Sequence, residues 1–139
     1  MEELKIALDP GATMPTRAHE FDGGLDLYAM NDAWIRPQSS EFFDTGVHVQ
    51  VPRGMVGLIR SRSGLMRNLE ITTDGTIDAD YTGSIGITLF NHSRADCYIK
   101  AGNRIAQLVI VPCFLGNPVL VDKLEETARG AGGFGSTGR

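Results

Sequence analysis

TGVHVQVPRGMVGLIR, residues 45–60, is the stretch on which the fold turns. Val47, Val49 and Val51 alternate with His48 and Gln50, the period of a strand with one buried face. Pro52-Arg53-Gly54 breaks the run, and a second apolar run, MVGLI, follows at once. Two such runs joined by a tight Pro/Gly connection read as antiparallel neighbours. On this reading His48 points to solvent.

The same punctuation extends in both directions. Strands are expected near residues 5–8, 25–29, 41–43, 45–51, 55–59, 84–91, 97–100 and 104–112, separated by PGATMP, FDGG, PRG, AGN and FLGNP. RIAQLVIV, residues 104–111, is nearly continuous and apolar; its β-branched Val109, Ile110 and Val111 favour a strand buried on both faces. The best helix candidate, SGLMRN at residues 63–68, is at most two turns. The expected fold is all-β: a single-domain, jelly-roll-like sandwich or barrel.

At 139 residues the chain is long enough to fold as one domain without staples. A net charge of −4 argues against a nucleic-acid-wrapping or membrane-seeking surface, so a polyanionic ligand needs a local basic cluster. Cys97 and Cys113 lie in apolar runs without metal-site spacing and read as thiols in a reducing compartment. His19, His48 and His92 form no recognised motif. No signal-like N-terminus and no apolar run of transmembrane length appears, so a cytoplasmic location is expected.

Four clusters carry more chemistry than turns require. Asp26 interrupts the apolar strand GLDLYA and faces solvent, completes a polar network or serves a site. Arg60-Ser61-Arg62-Ser63-Gly64, at a strand-to-helix junction, reads equally as an anion cradle or as a solvated strand end with ion pairs. In TDGTIDADYTG, Asp74-Gly75 is a hairpin signal. Asp78 and Asp80 alternate with Ile77, Ala79 and Tyr81, as if projecting one way from a strand to hold a cation or act as a base; they also suit a turn. Arg104 and Gln107 interrupt the most apolar strand, where buried polar groups need partners.

The chain ends in RGAGGFGSTGR. The literal phosphate-loop pattern fails, because Ser136 stands where its Lys belongs and no helix can follow. A frayed end is the bland reading. The composition also suits an arm that orders over a ligand: Arg129 for phosphate, Phe134 for a ring, and Gly135, Ser136 and Thr137 for close backbone and hydroxyl contacts.

Taken in order, GLDLYA, RSGL (residues 62–65), GTIDADYTG (75–83), GNRIAQL (102–108) and RGAGGFGSTG (129–138) resemble the five motifs of trimeric dUTPases, from about residue 4 to the end. The resemblance implies hydrolysis of dUTP to dUMP and pyrophosphate on a dUTPase-like β-clip. It implies Asp78 as the base for water attacking the α-phosphorus. Gly75, Thr76, Ile77 and Gly86 would read the uracil edge through the backbone, Tyr81 would pack on the deoxyribose, and Phe134 would stack on uracil. Arg62, Ser63, Gly64, Gln107, Arg129, Gly135, Ser136 and Thr137 would contact phosphates. Magnesium would be held by phosphate oxygens and water, with Asp26 nearby and no direct protein ligand. The sites would be shared in a homotrimer, with residues 1–128 as the β domain and 129–139 as a mobile arm.

Asn103 stands where the family usually has Asp, Gly23 stands where Ala is common, and the segment from Leu65 to Asp78 is shorter than in many members. A related deoxycytidine triphosphate deaminase would want a catalytic Glu near the base; here Asp78, Tyr81 and the Phe-containing tail point elsewhere. A non-catalytic nucleotide-sensing or partner-binding protein on the same fold is the rival from a different class. Intact Asp78, Arg129 and Phe134 speak for catalysis.

Overall fold

The structure, a computed structural model, describes residues 2–135 together with Thr137 and Gly138. The strands are β1 (Lys5–Leu8), β2 (Gly24–Tyr28), β3 (Ala33–Ile35), β4 (Ser40–Asp44), β5 (Val47–Gln50) and β6 (Met55–Arg60). After the helix α1 (Ser63–Leu69) come β7 (Ile71–Thr72), β8 (Asp74–Ile77), β9 (Gly86–Asn91), β10 (Cys97–Ile99) and β11 (Arg104–Pro112). All described pairings are antiparallel. They form a four-stranded sheet β2-β11-β6-β8, a three-stranded sheet β4-β9-β7, and the pairs β1-β5 and β3-β10. The all-β expectation holds. β3 and β7, too short to show a period, escape the sequence pattern, and so does β8, where Asp74-Gly75 reads as a turn.

One core is enclosed between the sheets. Leu27, Ile35, Phe43, Val47, Ile59, Ile71, Ile85, Ile87, Leu89, Ile105 and Leu108 are completely or almost completely buried in it. Strand alternation explains most of this set, and a bulge explains one departure. β11 pairs Arg104 with Tyr28 and Ala106 with Leu27, so Ile105 is the extra residue and both Ile105 and Ala106 enter the core.

Two local expectations are corrected, and one open alternative is decided. Pro52 and Met55 close a tight turn, with the Met55 amide donating to the Pro52 carbonyl at 3.1 Å. However, β5 pairs with β1 while β6 pairs with β11 and β8, so the turn is a corner between sheets. Alternation specifies which face is buried; it leaves open which backbone is the neighbour. Asp74-Gly75 is no hairpin tip: it lies inside β8, with Gly75 opposite Ile59, where an added Cβ would come within 3.3 Å of that side chain. The glycine serves close approach rather than a positive φ. Lastly, Asp78 and Asp80 project from the turn that follows β8, closed by the Tyr81 amide donating to the Asp78 carbonyl at 3.1 Å.

Gly46 does need its freedom. Its φ is +65°, and an added Cβ would meet Met30 Sδ at 2.5 Å and Ala12 Cβ at 2.7 Å. Gly46→Ala is therefore expected to lower stability by about 1–3 kcal/mol in urea unfolding.

Candidate active site

The cradle forms where β2, β11 and β6 run side by side. Gln107 stands opposite Asp26 on one flank and Arg60 on the other. The Asp26 carboxylate, with its side chain 14% exposed, lies 3.4 Å from Arg62 Nε and 3.8 Å from Arg104 Nε. Arg62 Nη1 also donates to the Arg104 carbonyl at 3.3 Å. Arg104 sits over the Tyr28 ring at 5.9 Å and donates to its hydroxyl at 3.4 Å. The Tyr28 phenol is held below its ordinary pKa, first by its hydrogen bond with Thr16 and also by Arg104. Two guanidiniums thus share one carboxylate, which leaves a local positive surplus on an acidic chain.

Arg104 was expected to be buried, but its side chain is half exposed. The Ile105 bulge leaves it at the rim of the sheet rather than within it. Gln107 is half-buried and donates through Nε2 to the Ser61 carbonyl at 3.1 Å. It lies flat over Gly24, where a Cβ would fall on its amide oxygen. Ser61 is fixed in turn: its hydroxyl donates to the Thr73 carbonyl and accepts from the Thr73 amide. Arg62 stands at the N-cap of α1 with no side-chain bond to the helix itself, and Ser63 and Gly64 are exposed beside it. A cleft of ≈ 520 Å³ opens here, bounded by Tyr28, Arg62, Asn103 and Arg104. Asn103 itself serves its turn, accepting from the Lys100 amide at 2.8 Å.

The acidic turn stands at the opposite end of the sheet. Arg60 pairs with Asp74 and Gly57 with Ile77, so Arg62 and Asp78 lie beyond opposite ends of the β6-β8 ladder. About six residues of extended chain separate them, on the order of 20 Å. Asp78 and Asp80 border a second cleft of ≈ 830 Å³, which Lys5, Arg53 and Thr82 also line. Tyr81 is exposed, donates its hydroxyl to the Ser84 carbonyl at 2.7 Å, and lies against Gly83. Ser84 donates to Asp44, whose carboxyl is held below its usual range by that hydroxyl and then by the Gly46 amide. Ile77 is buried, Gly75 half-buried, and Thr76 and Gly86 exposed. The Phe42 ring covers the spot where a Gly86 Cβ would be.

The tail meets neither cluster through any described hydrogen bond. Arg129 Nε donates to the Gly132 carbonyl at 2.5 Å, and the Gly130 amide donates to the Thr127 hydroxyl at 3.0 Å. Phe134 is fully exposed at φ 49°, followed by Gly135 at φ 90°. Thr137 is exposed, and Ser136 lies outside the described residues.

Among the described residues no three His, Cys, Asp or Glu side chains converge as a metal cage. Asp26, already facing two guanidiniums, suits a cation whose ligands are phosphate oxygens and water. The residues present therefore fit magnesium carried in by a phosphorylated ligand. Tyr28 and Thr16 were missed as cradle parts. Tyr28 shares a strand face with Asp26 at spacing two, a signal that could have found it; Thr16, on a loop, gave none.

An all-β chain with a guanidinium cradle at one end of its main sheet, and an acidic turn with an exposed tyrosine at the other, defines a class: small β proteins that bind phosphorylated ligands. The family profile described as dUTPase matches residues 11–138. The deoxyuridine 5'-triphosphate nucleotidohydrolase of Picosynechococcus sp. is 44% identical over 136 residues, covering 96% of both chains. A solved point variant of the Staphylococcus bacteriophage 80alpha dUTPase with dUpNHpp superposes with a TM-score of 0.94 at 31% identity, covering all of both chains. A variant dUTPase from phage phi11 of S. aureus, solved for the coordination of a structural Mg(II) ion, gives 0.84 at 29% identity, covering 90% of this chain and all of that one. The chain belongs to the dUTPase family.

Proposed function

We propose that the chain hydrolyses dUTP to dUMP and pyrophosphate at sites shared between the subunits of a homotrimer in the cytoplasm. The observation that carries the reading is the cradle itself, two guanidiniums fixed around Asp26, on a chain of the dUTPase family. Arg62, Ser63, Gly64 and Gln107 of one subunit contact the triphosphate. Asp78 of a second takes the proton from a water whose oxygen attacks the α-phosphorus, and pyrophosphate leaves with the bridging oxygen. Magnesium bound with the phosphates would supply charge neutralisation, and Asp26 would be the residue that reaches it through water. The backbone of Gly75, Thr76, Ile77 and Gly86 reads the uracil edge, and the Tyr81 ring leaves no room for a 2′-hydroxyl. The arm, residues 129–139, closes with Phe134 on the base and with Arg129, Gly135, Ser136 and Thr137 on the phosphates.

Two features support sharing between chains. The separation of Arg62 from Asp78 is too great for one subunit's pair to act on one α-phosphate. Moreover, Phe114, Leu115, Val119, Leu120 and Leu124 stand exposed on the segment before the arm, an apolar surface that suits a second copy. The reading is tested by pyrophosphate release from dUTP, dCTP and dTTP with and without magnesium: rapid release from dUTP alone, dependent on the metal, is expected. Asp26→Asn, which loosens both guanidiniums from the carboxylate that holds them in place, is expected to raise KM for dUTP about tenfold with a smaller change in kcat.

A further inference from the structure

His48 lies outside the motifs yet is held at both ring nitrogens. Its Nε2 lies 2.9 Å from Asp9 Oδ1, at the end of β1, and its Nδ1 lies 2.7 Å from the Thr82 carbonyl. Both partners only accept hydrogen bonds. A neutral imidazole carries one N–H and can satisfy one of them; the imidazolium satisfies both. The ring does point away from the core face of β5, as its alternation implies, but its side chain is only 30% exposed.

Thr82 follows Tyr81 directly and is four residues from Asp78. The other end of this segment is tied by Ser84 to Asp44 and by Tyr81 to the Ser84 carbonyl. We propose that His48, as the imidazolium, is a positioning residue that fixes the segment carrying Asp78 and Tyr81 through the Thr82 carbonyl. This rests on the dUTP-hydrolysing role given to that segment above. The charged groups around the ring are Lys5 on β1, Asp9 after it and Asp44 on β4, while Asp78 and Asp80 line the adjoining cleft. Carboxylates dominate this set. The Thr82 carbonyl first, and then Asp9, raise the His48 pKa above its ordinary value.

The sign follows. A raised folded-state pKa means that the double tether is complete below the ordinary histidine value of about 6.5 and is lost as pH rises through the folded value. Asp44, held low, stays ionised across that window and adds no transition there.

The test compares the full chain with His48→Gln, which does not titrate. The ratio of native to variant kcat/KM for dUTP, followed from about pH 5.5 to about pH 9, cancels ionisation of the nucleotide itself. It is expected to fall by about fivefold to tenfold with a midpoint above about 6.5. In parallel, the Gly83 amide NMR shift of the native chain should titrate with the His48 ring at the same midpoint. A pH-independent ratio, or a Gly83 amide blind to the His48 titration, would overturn the proposal. Should the native chain fail to hydrolyse dUTP, the functional reading falls, while the linked His48 and Gly83 titrations still decide the tether. The same titrations decide if the variant does not fold.

Discussion

Asp78→Asn is expected to keep nucleotide affinity within a few fold while lowering kcat by about 10²–10⁴-fold. Asp78 is exposed on the turn after β8, and the hydrogen bonds that hold this turn use its backbone and the side chains of Tyr81 and Ser84, not its carboxylate. Replacing the carboxylate with an amide therefore removes a proton acceptor and leaves the scaffold in place. The measurement is single-turnover hydrolysis beside calorimetric binding of dUpNHpp. Near-native turnover would show that Asp78 is not the base.

Removal of residues 129–139 is expected to leave a folded chain with almost no hydrolysis. The last fully buried core residue is Leu108, and every described hydrogen bond of the arm lies within residues 127–138, so the fold loses little. The ligand loses much. Phe134 has no core to bury against, but a base beneath its ring offers stacking worth roughly 1–3 kcal/mol. Arg129, now folded back on Gly132, could instead clamp phosphate for a further ~2–4 kcal/mol, felt mostly in the transition state. Ordering an eleven-residue arm that contains five glycines costs backbone entropy, so closure should need both base and triphosphate. Hydrogen exchange in the arm is expected to slow with dUpNHpp much more than with dUMP. Equal protection, or an active truncated chain, would reduce the arm to a frayed end.

The alternation of Val47, Val49 and Val51 made one buried strand face legible, and its repetition made an all-β fold legible. Pairing was not, because Pro52-Arg53-Gly54 turns a corner as readily as it closes a hairpin, and alternation is blind to the difference. Asp74-Gly75 misled for a related reason: its glycine answers a steric demand from Ile59 that exists only once β6 lies beside β8. The site was legible as polar residues in apolar strands, with Asp26, Arg104 and Gln107 converging across one sheet. Supports such as Thr16, Asp44, Ser84 and His48 were not. Their roles arise from contacts between residues 12 to 40 positions apart, which no local pattern records.

The division of the site between chains is tested most directly by mixing Asp78→Asn chains with Arg62→Ala chains under conditions that exchange subunits, and measuring pyrophosphate release from dUTP. Each variant alone is expected to be nearly inactive. In the mixture, a site that takes Asp78 from one chain and Arg62 from another finds both intact in about a quarter of cases, so about a quarter of native activity should return. A mixture that exchanges subunits and remains as inactive as its components would contradict the account.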